Sequence, residues 1–87
     1  MTVIINESAL KHEGITEEDI HRALSLPLAD RLLPKYQNKY LLIGFDRNGN
    51  LLEIMYNIRV DGSYNVFHAM RCRKEFYYLA EESSYYV

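Results

Sequence analysis

Lys39–Arg71, KYLLIGFDRNGNLLEIMYNIRVDGSYNVFHAMR, decides the fold. Two glycine dipeptides, Asn48-Gly49 and Asp61-Gly62, interrupt apolar-rich segments. Such pairs favour the left-handed backbone of two-residue hairpin turns. They predict three consecutive antiparallel strands at Lys39–Phe45, Leu51–Val60 and Tyr64–Arg71. A two-residue turn also sets the register. Asn48-Gly49 then pairs Phe45 with Leu52, Ile43 with Ile54 and Leu41 with Tyr56. Asp61-Gly62 pairs Tyr56 with Phe67 and Ile54 with Ala69. These residues make one apolar face, which is expected to receive the helices. The opposite face is expected to stay open, carrying Tyr40, Leu42 and Gly44, then Glu53, Met55, Asn57 and Arg59, then Tyr64, Val66, His68 and Met70.

Working outward, Thr2–Ile5 is a short β-prone run, and Asn6 or Ser8 can cap a brief helix through His12, with Gly14 as its terminator. Thr16 and Asp19 have capping-box spacing, Glu17, Glu18 and Asp19 suit a helix N-terminus, and Pro27 ends the apolar stripe Ile20, Ala23 and Leu24. Ala29–Leu33 reads as an edge strand stopped by Pro34. Arg73–Glu82 reads as a helix with Phe76, Leu79 and Ala80 on its apolar side, and Ser83–Val87 as a loose tail. The expectation is one α+β domain over residues 1–87. It has two short N-terminal helices, a three- or four-stranded antiparallel meander sheet and a C-terminal helix, with the helices on one face.

Composition narrows the function. The 87 residues are 48% hydrophobic and 25% charged, the balance of a globular chain, and they leave no room for a second core. No apolar run nears the roughly 20 residues of a membrane span, and Met1–Leu10 lacks the layout of a signal peptide. A lone cysteine, Cys72, cannot form an internal disulfide, so the expected compartment is the cytoplasm. Ten Lys plus Arg against twelve Asp plus Glu exclude a uniformly basic nucleic-acid binder. Three separated histidines lack zinc spacing, and no motif requires a cofactor.

The open face nevertheless gathers Arg59, Asn57, Glu53, His68 and Tyr64, with His68 opposite Met55 and diagonal to Glu53 and Asn57. Arg71, Arg73 and Lys74 follow where the last strand ends. Cleaving RNA without a metal requires a base for the ribose 2′-OH, an acid for the leaving 5′-oxygen and positive charge on the transition state. Histidine suits the proton transfers, arginine the phosphate and tyrosine the stacking of unpaired bases. On this reading His68 is the acid/base. Arg59 and Arg71 hold the phosphate, Arg73 and Lys74 add charge, and Tyr64 or Tyr77 stacks.

The chain also resembles the BrnT-type toxins of bacterial type II toxin–antitoxin systems, relatives of the RelE-like ribonuclease fold. Lys11-His12-Glu13-Gly14-Ile15 is similar to that family's Lys-His-Gly-Val/Ile segment. Tyr40–Gly44 followed by Gly49-Asn50-Leu51-Leu52 resembles its central strand pair, and Phe67-His68-Ala69-Met70-Arg71 its final strand. The resemblance spans roughly residues 8–80. It implies a toxin that cleaves RNA and is silenced by a cognate antitoxin, with Arg59 and Arg71 at the family's arginine positions. Self-association stays open.

A reading from another class uses the same face differently, as a non-catalytic module that binds an acidic protein through Met55, Val66 and Met70. Several residues also have ordinary explanations. His12 suits a helix C-terminus, His21 an exposed helix face, Cys72 a small packed side chain, and tyrosines 77, 78, 85 and 86 packing or a protein interface.

Overall fold

The computed structural model describes residues 2–84. Strand β1 (Val3–Ile5) leads into a 3-10 turn (Glu7–Leu10), then helix α1 (Glu17–Ser25) and strands β2 (Pro27–Leu32), β3 (Tyr40–Phe45), β4 (Leu51–Ile58) and β5 (Tyr64–Arg71). A second 3-10 turn (Lys74–Phe76) runs into helix α2 (Tyr77–Ser84). Ser83 and Ser84, expected in a tail, close α2; the rest of that tail, Tyr85–Val87, lies outside the described residues.

The α+β class stands, but the sheet is five-stranded and mixed rather than a three- or four-stranded antiparallel meander. Its order is β1-β5-β4-β3-β2, with β1 parallel to β5 and the other neighbours antiparallel. The helices do not share a face. Ala9 of the first turn, Ile15 of the connection that follows it, and Ile20 and Ala23 of α1 pack on Leu42, Leu52, Ile54, Val66 and Ala69. Leu79 of α2 packs on Leu41, Ile43 and Cys72 on the opposite side. Both sides of β3 are apolar, so each receives a helix and buries a core of its own.

Register explains this. Phe45 pairs with Leu51, Ile43 with Glu53, Leu41 with Met55 and Tyr40 with Tyr56, one residue away from the expected pairing. The cause is Asp46. Its carboxylate accepts the backbone N–H groups of Asn48 and Asn50, each at 2.8 Å, and its own N–H donates to the Asn50 carbonyl at 2.9 Å. Arg47-Asn48-Gly49 thus becomes a three-residue loop, with Gly49 in the left-handed region at φ +81°. A slip of one residue turns the whole of β3 over. Leu42 and Gly44 now face α1, so close that a Cβ on Gly44 would sit 2.7 Å from the Ala23 carbonyl oxygen.

The second hairpin slips in the same way. Arg59 N–H donates to the Ser63 carbonyl at 2.8 Å across Val60-Asp61-Gly62, so Ile58 pairs with Tyr64 and Tyr56 with Val66. Here a β-bulge at Phe67 restores the expected register, and Met55 meets His68 and Ile54 meets Ala69. The first turn of the chain braces the bulge. Asn6 N–H donates to the Val66 carbonyl and Ser8 Oγ to the Phe67 carbonyl at 2.7 Å.

Two further ties set the frame. Thr16 and Asp19 form the capping box of α1, and Arg47 reaches back from the first hairpin loop to Asp19 (3.1 Å) and Glu18 (2.6 Å). Asn38, at φ +52°, donates to the Ile58 carbonyl and accepts its N–H, standing in for a strand residue where β3 begins.

Candidate functional site

The side of the sheet under α2 is only half covered. Leu79 and its neighbours close one end, and at the other end His68, Asn65 and Asn57 are half-buried, with exposure becoming full at Arg59 beside the second hairpin loop. Where the two halves meet lies Glu53. Expected on the open face, its side chain is completely buried. A buried carboxylate needs several donors to stay ionised. Arg73, two residues beyond β5, supplies its backbone N–H at 2.9 Å, Nε at 3.0 Å and Nη2 at 2.8 Å. His68 supplies Nε2 at 3.0 Å. Burial pushes the Glu53 carboxyl upward, but the donors from Arg73 and His68 outweigh it and hold the carboxyl below its ordinary range.

An ionised carboxylate can only accept, so Nε2 carries a hydrogen, and Nδ1 is the ring nitrogen that Glu53 does not engage. The His68 side chain is 20% exposed, between the packed cluster and solvent. The His12 ring meets it edge-on, with ring centres 5.9 Å apart at 83°. His12 follows the first 3-10 turn, and the turn's bonds to the bulge carry it to β5. Two imidazoles, a carboxylate and a guanidinium therefore converge from three distant parts of the chain.

The candidate residues separate accordingly. His68 and Arg73 come together. Arg59 lies on the same side of β4 as Met55 but four residues along, about 13 Å from the His68 row. Arg71 pairs with Leu52, so it projects on the α1 side and is exposed. Tyr64 corrects an expectation. The slipped register puts it on the α1 side, stacked on Tyr56 with ring centres 4.5 Å apart, the third ring of a ladder that begins at Tyr40. Lys74 opens the second 3-10 turn and Tyr77 opens α2, both exposed. Val66, expected on the open face, is fully buried in the α1-side core.

Residues not singled out by sequence also flank the centre. Lys39 Nζ sits 4.2 Å from the centre of the Tyr36 ring and 5.8 Å from that of Phe67, the bulge residue next to His68. Only the alternation of Lys39 with Tyr40, once β3 is turned over, could have placed that lysine on the His68 side. Cys72 is buried, and desolvation, reinforced by the nearby Glu53 charge, pushes its thiol up to about 11, so it is no nucleophile at neutral pH. Among the described residues, no group of three His, Cys, Asp or Glu side chains converges as metal ligands, and no helix is long and apolar enough to cross a membrane.

No protein-family model matches the chain, and no curated protein or solved structure matches it.

Proposed function

We propose that this chain is the toxin of a bacterial type II toxin–antitoxin pair, a metal-independent endoribonuclease acting in the cytoplasm with His68 and His12 as its proton-transfer groups. One observation carries the reading: His68, locked by Glu53 and flanked by Arg73, stands edge-on to a second imidazole 5.9 Å away. A general base and a general acid held side by side are what a 2′-OH attack requires. One imidazole takes the 2′-OH proton as that oxygen bonds to phosphorus. The other, protonated, gives its proton to the departing 5′-oxygen as the P–O5′ bond breaks, leaving a 2′,3′-cyclic phosphate. Arg73, 45% exposed, is held by Glu53 through Nε and Nη2, and its Nη1, 3.7 Å from the exposed Glu75 carboxylate, is the group that would exchange that partner for a phosphate oxygen. The resemblance of Lys11–Ile15, Tyr40–Leu52 and Phe67–Arg71 to BrnT-type toxins supports the same class, and with it a cognate antitoxin as partner.

The rival module reading relied on Met55, Val66 and Met70 as exposed apolar contacts. Val66 is buried on the other side and Met55 packs against the α2 cluster, so the surface it needs is largely spent.

Expression without a partner tests the proposal. Growth arrest with fragmented RNA is expected, and purified His68→Ala and His12→Ala proteins should each lose about 10²–10⁴-fold in cleavage while remaining folded. Normal growth with intact RNA would overturn it. Recovery of one tight acidic protein partner without any cleavage would select the rival.

A further inference from the structure

Beyond the proton-transfer groups, the open half-face has a composition of its own. Tyr36 is 52% exposed on the loop between β2 and β3, and the Lys39 ammonium lies over its ring. Phe67 is half-buried on the other side of that ammonium. Further along lie Asn57, Asn65 and Arg59. The strands β3, β4 and β5 contribute one carboxylate to this side, Glu53, which is buried and already paired. In a chain of net charge −2, the strip thus offers two cations, two amides and two aromatic rings, with the Asp61 carboxylate of the second hairpin loop acting on Arg59 but, among the described residues, not on Lys39.

Resting on the ribonuclease reading, we infer that Tyr36, Lys39 and Phe67 form a nucleobase subsite that makes single-stranded RNA the substrate. An unpaired base stacks on the Tyr36 ring, Lys39 turns from the ring to the adjoining phosphate, and Phe67 walls the base beside His68. Stacking of this kind is tolerant of base identity, but it needs a base free of its partner strand. Phe67 is itself the inserted residue of the bulge and precedes His68 in the chain, so the stacked nucleotide adjoins the scissile bond. Asn57, about 7 Å on, and Arg59, about 13 Å on, take the backbone of the following nucleotides. Salt should weaken binding through the Lys39 and Arg59 contacts.

The probe is a 2′-deoxy ten-nucleotide strand, which cannot be cleaved, followed by fluorescence anisotropy with the full chain. Binding of the single strand, weaker binding of its annealed duplex, and about a tenfold rise in Kd for Tyr36→Ala and for Phe67→Leu are expected. On cleavable RNA the same variants should raise KM with little change in kcat, whereas His68→Ala lowers kcat. Tyr36 is exposed, so its alanine variant tests the subsite without disturbing the core. Unchanged Kd in both variants, failure of the parent chain to bind the strand, or equal affinity for the duplex would each overturn the subsite. RNA cleavage with Tyr36 and Phe67 variants of normal KM removes the subsite but leaves the ribonuclease. Tyr36-dependent binding of the strand with no RNA cleavage keeps the subsite and removes the ribonuclease.

Discussion

The two hairpins of this sheet begin with the same deviation and end differently. Each closes with a three-residue loop where the Asn-Gly and Asp-Gly pairs favour two, and each slips its strands by one residue. In the first, nothing corrects the slip, so β3 presents Leu42 and Gly44 to α1, and Leu41 and Ile43 to α2. In the second, the bulge at Phe67 reverses the slip halfway along β5. Tyr64 and Val66 therefore face α1, while His68 returns to the side of Glu53. The first hairpin makes core on both sides; the second makes core at one end and a polar cluster at the other. A bulge is thus the feature that separates packing from candidate chemistry within a single strand.

Breaking the polar cluster should have the largest effect. Arg73→Met leaves the Glu53 carboxylate buried with its two guanidinium donors and its ion pair gone, only the backbone N–H of position 73 and His68 remaining. That should lower unfolding free energy by about 2–3 kcal/mol, less than for a fully buried pair because Arg73 is 45% exposed. Urea titration at pH 7 measures it. The uncorrected slip in the first hairpin is probed by Gly44→Ala. With β3 turned over, the new methyl meets the Ala23 carbonyl and should cost about 1–3 kcal/mol, while the unslipped register would leave Gly44 on an open face and the change near neutral.

Acid should act on both hairpins together. Burial opposes ionisation of Asp19, Asp46 and Glu53, yet Thr16 and Arg47, the amides of Asn48 and Asn50, and Arg73 with His68 respectively bring each carboxyl below its ordinary value. Lowered folded-state values mean that this stabilisation is complete above the unfolded carboxyl range and is lost as pH falls through the folded values. The thermal midpoint should therefore be flat near neutrality and drop below roughly pH 4. Glu53→Gln should shallow that drop.

Smaller effects distinguish the loops. Asp46→Ala removes the acceptor that shapes the first loop and should cost about 1–2 kcal/mol by urea titration. Asp61→Ala should cost less, because Asp61 is exposed, while Asp46 is buried. Val60→Asp should leave the urea midpoint where it is, since Val60 is fully exposed at the loop tip. A large loss there would mean that the second loop is shorter than three residues.

Much of the fold was legible locally. The capped helix at Thr16, the strand segments and the terminal helix all rest on neighbouring residues, and the structure has each of them. The pairing of β1 with β5 was not legible, because a three-residue strand joins its partner across some sixty positions. At the candidate site, His68 opposite Met55 and near Glu53 was readable, although for the wrong reason: the turn was one residue longer than assumed and the bulge cancelled the error. Arg73 was readable as a nearby cation, not as the partner of a buried carboxylate. His12 and Tyr36 were invisible because loops bring them in, and Lys39 because the slipped register of β3 turns it to the His68 side.

What the sequence determined by itself is the order and kind of the elements, since helix caps, turn glycines and apolar periodicity act over a few residues. What only the tertiary structure decided is which way each strand faces. Side chains alternate with a period of two, so one residue in a loop inverts a strand, and the choice is made by contacts that no local window contains. Asp46 gathering its loop amides makes it in one hairpin, and Asn6 and Ser8 pinning the Val66 and Phe67 carbonyls make it in the other.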